Sequence, residues 1–129
     1  MRIVTLAALL AALAVQHASA EGGNRMAKAD IMRDIAGNRI YLKVPFGGEF
    51  PLYYDPSGKV DGTGEALGLG RFMAPEDSGR WWVDSDRLCQ QWQEWYDGKT
   101  HCFELVRTSE TSLYWRRDDG LDGEARIGR

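Results

Sequence analysis

A chain of 129 residues with a formal charge of −3 has room for one domain and little more. Its acidic balance, without any basic run, excludes the phosphate neutralisation on which nucleic-acid binding depends. Five tryptophans and five tyrosines exclude a disordered chain, which could not carry so much apolar surface in water.

Residues 1–20 read as a secretory signal. Met1-Arg2 is a short positive start, Ile3 to Val15 is apolar, and Ala18-Ser19-Ala20 fits a small-x-small cleavage site. The apolar run is shorter than the roughly 20 residues that cross a bilayer, and no cysteine lies near residue 20 to carry a lipid. The expectation is a cleaved, soluble product without stable membrane insertion, periplasmic or secreted. About 110 residues then remain, enough to bury about 60–70% of the unfolded surface in one core.

Residues 21–38 form a polar lead-in followed by a short helix. Within "AKADIMRDIA", residues 27–36, apolar side chains recur every fourth position at Ala27, Ile31 and Ile35, and Gly37-Asn38 supplies a stop. So narrow a stripe suits a cap on a sheet edge or barrel mouth. From residue 39 the period changes to two. "RIYLKV" sets Ile40, Leu42 and Val44 opposite Tyr41 and Lys43, the pattern of a half-buried strand. "EFPLYY", "KVDGTGEAL", "GRWWVD", "RLCQQW", "HCFELVR", "SLYWRR" and "EARIG" follow, separated by turns rich in Gly, Asp and Ser.

Residues 39–129 are therefore expected to form a mainly β domain. Its sheet is single, curved and antiparallel, or a small partly closed barrel of six to eight strands, with one N-terminal helix. The fifteen glycines suit its turns and kinks. Residues 65–78 fit this pattern least and are expected to form a covering loop.

The segment "GRWWVDSDRLCQQWQEWYDGKTHCF", residues 79–103, holds four tryptophans and both cysteines. In an exported chain two cysteines imply a disulfide. A two-residue hairpin at Asp97-Gly98 would put Cys89 and Cys102 about 13 Å out of step along the strands, whereas a disulfide needs Cα atoms within about 7 Å. Bonding therefore predicts a wider loop over 92–99, with Cys89 and Cys102 on adjacent strands. Neighbouring strand residues point to opposite faces, so His101 and Cys102 make poor partners in a zinc site or a catalytic pair. His101 is expected on a partly exposed strand position. Trp81 and Trp82, being adjacent, must also face opposite ways. Trp82, Trp92, Trp95 and Tyr96 are candidate ligand-binding residues, against the alternative that every tryptophan is core or half-covered.

Carboxylates supply a second candidate. "DPSGKVDGTGE", residues 55–65, fails as a calcium loop because Lys59 and Ala66 fall on ligand positions. In "RRDDGLDGEARIGR" the acids Asp118, Asp119, Asp122 and Glu124 crowd one turn, as a hard cation such as calcium or a lanthanide would require. Asp84 and Asp86 also share a face. No Ser-His-Asp arrangement or phosphate loop is legible, and Glu94 and Glu104 have nothing to mark them as an acid–base pair.

The motifs "GRWW", "LC", "HCF", "YWRRDDG" and the closing "ARIG" resemble those of a group of small exported alphaproteobacterial proteins with no established activity, over roughly residues 39–128. The resemblance implies export and a β-rich single domain, and it brings no site residues. Small periplasmic metal-handling proteins, some lanthanide-binding, occur in bacteria of this group. The functional expectation is a non-catalytic periplasmic binding or accessory protein, without a cofactor, meeting a protein or small ligand through an aromatic-rich sheet surface. A calcium- or lanthanide-type ion carrier is the alternative, and an inhibitor of another enzyme comes third.

Overall fold

Alternation of apolar and polar side chains governs the architecture. In the computed structural model, residues 24–45, 47–63 and 76–128 are described; the expected signal segment and most of the 65–78 stretch lie outside them. Eight strands follow the sequence order: β1 Arg39–Lys43, β2 Glu49–Tyr54, β3 Lys59–Thr63, β4 Glu76–Asp84, β5 Arg87–Trp92, β6 Thr100–Arg107, β7 Ser112–Arg117 and β8 Asp122–Gly128. Each pairs antiparallel with the next, and β8 returns to β1, where Ile40 stands opposite Ile127. The expected curved sheet is thus a fully closed barrel, which removes the unpaired strand edges that invite aggregation.

Register sorts the side chains. Ile40, Leu52, Tyr54, Val60, Trp81, Leu88, Trp92, Leu105, Leu113, Ala125 and Ile127 turn inward and are buried, while Arg39, Lys43, Lys59, Arg116, Glu124 and Arg126 face solvent. Apolar inside and charged outside is the reverse of a barrel built for lipid. Residues 76–78, expected in a covering loop, belong instead to β4: Glu76, Asp77 and Ser78 pair with Thr63, Gly62 and Asp61. A strand this long was concealed by the polarity of "EDSG", which reads locally as a turn.

The helix α1, Lys28–Asp34, closes one end of the barrel. Its apolar spacing carries Ile31 and Ile35, which with Met26 are essentially inaccessible to solvent. Polar contacts fix its position. The Lys28 N–H donates to Asp86 Oδ1 at 2.8 Å, and the Arg107 guanidinium pairs with Asp34. Ahead of the helix, the Met26 N–H donates to the Leu105 carbonyl and the Arg107 N–H to the Asn24 carbonyl, each at 2.8 Å. Asp86 occupies a two-residue hairpin in which Ser85 and Asp86 both have positive φ, 50° and 58°, the left-handed geometry that matches strand twist in the tightest hairpins.

At the other end, the expected departure from a two-residue Asp97-Gly98 turn is realised. Cys89 and Cys102 lie directly opposite on β5 and β6, Cα to Cα 4.0 Å, and are disulfide-bonded. Residues 93–99 form the loop above them. Its short turn Trp95–Gly98 has three successive left-handed residues, Tyr96, Asp97 and Gly98. For Tyr96 and Asp97 that conformation is costly, so other contacts must hold it.

Candidate functional site

Eight strands give an interior that side chains just fill or that holds one small ligand. Here a cavity of about 740 Å³ remains. Ile35, the C-cap of α1, floors it, Leu52, Leu88, Leu105 and Leu113 line its walls, and Val44, Pro45, Tyr96 and Leu121 stand around the open end. The space exists partly because the wall lacks side chains at two inward positions. A β-carbon on Gly62 would lie 2.6 Å from Trp95 Cζ3, and one on Gly123 would lie 2.6 Å from Trp115 Cζ2. Both indoles therefore rest against bare backbone.

Aromatic rings make up much of the lining. Trp95 meets Phe50 edge-on at 5.4 Å and Trp92 at 4.6 Å, and Phe103 meets Trp115 at 5.6 Å. Asp77 sets Trp95 in place from β4: its Oδ2 accepts the backbone N–H groups of Glu94 and Trp95, both at 2.9 Å. Partial burial opposes ionisation of Asp77, but the backbone donors around it outweigh that and hold its carboxyl below the ordinary range. The Gln91 side-chain amide donates to the Gly98 carbonyl at 2.9 Å, securing the far side of the loop.

Deep inside, two polar side chains among the described residues form a pair. Tyr54 donates its hydroxyl to Gln90 Oε1 at 2.7 Å, and both residues are buried and line the cavity. Burial pushes the Tyr54 phenol well above its usual range, so it remains a neutral group. Two indole nitrogens, Nε1 of Trp92 and of Trp115, are buried with no acceptor among the described residues, a state that costs free energy for as long as it lasts.

Charged groups collect at the rim. His101 Nδ1 lies 2.9 Å from Asp118 Oδ1, and Asp118 Oδ2 accepts the Cys102 N–H at 3.1 Å. Desolvation raises the Asp118 carboxyl, but these two bonds lower it further, and the net shift is downward. Arg117 grips Asp119 through two hydrogen bonds, 2.8 and 2.6 Å, which brings that carboxyl down to about 2. The Arg117 guanidinium also lies 5.2 Å from the Tyr96 ring centre, and Tyr96 meets His101 edge-on at 5.7 Å.

The candidates read from the sequence separate in space. Trp92 and Trp95 are inside the cavity, Tyr96 stands half-exposed at its rim, and Trp82 is on the outer wall, half-buried with Arg80 at 5.3 Å from its ring centre. The aromatic surface expected on the sheet exterior is mostly an interior one, because strand parity turns Trp92 inward and Asp77 folds Trp95 in after it. The four clustered acids do not converge. Asp118 binds His101, Asp119 binds Arg117, Asp122 accepts the Tyr114 hydroxyl at 2.7 Å, and Glu124 accepts from Lys43 at 3.1 Å. Among the described residues no three His, Cys, Asp or Glu side chains gather in a way that could hold a metal ion.

A closed antiparallel barrel with an aromatic cavity open at one end is the class of structure defined. Comparison of the chain with protein-family models, curated proteins and solved structures finds no match. Sequence reasoning passed over Phe50, Tyr54, Gln90, Phe103 and Trp115. One signal was present for Gln90: it shares parity with Leu88 and Trp92, and a glutamine on an otherwise apolar strand face marks a polar group placed in a core.

Proposed function

We propose that this is a non-catalytic binding protein that takes up one small, mostly apolar molecule inside the barrel. The observation that carries this reading is the 740 Å³ cavity. Its size falls within the range of about 300–1,000 Å³ typical of ligand sites, and its lining has the same character, apolar and aromatic with a few polar groups. An unfilled apolar space of that size would weaken a small domain, since lining atoms lose contact partners. The Cys89–Cys102 disulfide supports an oxidising compartment, in keeping with an exported carrier or sensor of such a molecule.

Titration with the environment-sensitive dye anilinonaphthalene sulfonate provides the test. The expected result is saturable binding of one dye per chain with blue-shifted emission. Ala125→Phe, which places a ring in the cavity from β8, should abolish binding while leaving the far-ultraviolet circular dichroism unchanged. Equal dye binding by this variant would place the dye elsewhere and remove the reading.

A further inference from the structure

The one polar pair deep in the cavity leaves hydrogens without a partner. Tyr54 and Gln90 carry three polar hydrogens between them, one on the phenol and two on the amide, and one bond joins the pair. Among the described residues no other hydrogen bond involves the Gln90 side chain. With the amide oxygen taken by Tyr54, both N–H groups of the Gln90 amide are left without a partner on the cavity wall. The indole N–H groups of Trp92 and Trp115 also lack acceptors among the described residues, but they are buried within the wall and present no surface to a ligand. Acceptors nearer the mouth are already engaged: Asp122 by Tyr114, and Glu124 by Lys43.

From these unpartnered N–H groups we infer that the ligand is a neutral, ring-containing molecule bearing a carbonyl-type acceptor oxygen, and that Gln90 is the specificity-determining residue that receives it. This rests on the cavity being the ligand site. The Tyr54 hydroxyl orients the Gln90 amide and leaves its N–H groups for the ligand. The ring body lies between the Trp92–Trp95 pair and the Phe103–Trp115 pair, whose faces favour stacking and edge contacts. Neutral donors suit a neutral acceptor, and burying a cation's charge beside an apolar, aromatic lining is costly. Tyr54, kept neutral by burial, adds no charge to this environment.

Three naphthalenes that differ only in the side group separate the possibilities: ethylnaphthalene, acetylnaphthalene and naphthylmethylamine. Titration calorimetry on the disulfide-bonded protein should find acetylnaphthalene bound about tenfold more tightly than ethylnaphthalene, the scale of one satisfied buried donor. Naphthylmethylamine should bind weakest. The Gln90 side-chain N–H resonances should move downfield with acetylnaphthalene alone. In Gln90→Met the carbonyl preference should vanish with ethylnaphthalene affinity retained. The double variant Tyr54→Phe with Gln90→Met, which strands no polar group, serves if the single one folds poorly.

Equal affinity for the ethyl and acetyl compounds would overturn the acceptor inference and leave the cavity reading standing, as would preference for the amine. A carbonyl preference that survives in Gln90→Met overturns the assignment to Gln90. If none of the three binds, the cavity reading itself falls and takes this inference with it.

Discussion

The two ends of the barrel are closed by different physics. At the α1 end, Met26, Ile31 and Ile35 are sealed from solvent, with the Arg107–Asp34 pair beside them. At the mouth, Tyr96 and Leu121 are half-exposed, and order comes from hydrogen bonds to carboxylates: Asp77 under the loop, Asp118 beside His101, Asp119 on Arg117. Apolar packing resists opening until the whole core gives way, whereas a rim of hydrogen-bonded turns opens locally at low cost. The floor is therefore the stable end, and the mouth is the end through which the proposed ligand would pass.

Replacement at the floor should break this contrast most severely. Ile35→Ala removes a buried methylene and two methyl groups that also floor the cavity, and a loss of about 3 kcal/mol in unfolding free energy is expected from denaturant titration. Next comes the brace between β5 and β6. Cys89→Ser with Cys102→Ser should cost roughly 3 kcal/mol in the chain-entropy model, read as a lowered thermal midpoint, and should free the feet of the 93–99 loop. Asp77→Ala strands the N–H groups of Glu94 and Trp95. About 2 kcal/mol is expected, together with a displaced Trp95 indole resonance and unchanged resonances from Trp81 near the floor.

Acid sharpens the same contrast. The carboxyls of Asp77, Asp118 and Asp119 are all held below their ordinary value of 3.8 in the folded protein. Because the folded values are lowered, their stabilisation is fully present above the ordinary value of 3.8 and is lost as pH falls through the folded values, about 2 for Asp119. On acidification below about 4, indole resonances of Trp95 should broaden before those of Trp81; simultaneous loss would mean that the ends are not separable. The smallest effect is expected at the rim. Leu121→Ala should change stability by no more than about 0.5 kcal/mol and act on the rate of ligand entry, measured by stopped-flow dye binding.

The local periods of the chain carried most of the architecture. Ile40-Leu42-Val44 and their counterparts announce half-buried strands, and Ile31 with Ile35 announces a capping helix, because these patterns depend on neighbours within a few residues. The disulfide was legible for a different reason: a chemical requirement, the short reach between cysteines, overrode the Asp97-Gly98 turn signal. Trp95 was not legible, since its position depends on Asp77, eighteen residues earlier, and on left-handed residues that no local rule demands. Nor was the cavity. Parity says which side chains enter a barrel, but whether they fill it depends on how facing strands are staggered, and that brings Gly62 under Trp95 and Gly123 under Trp115.

Those two contacts give the barrel a built-in adjustment. The glycines sit against the indoles, so a methyl group added at position 62 or 123 acts as a shim: it displaces a ring that lines the cavity and so changes the width of the space. The width of the cavity can thus be reset from within the wall by one added carbon, while the Tyr54–Gln90 pair stays as it is.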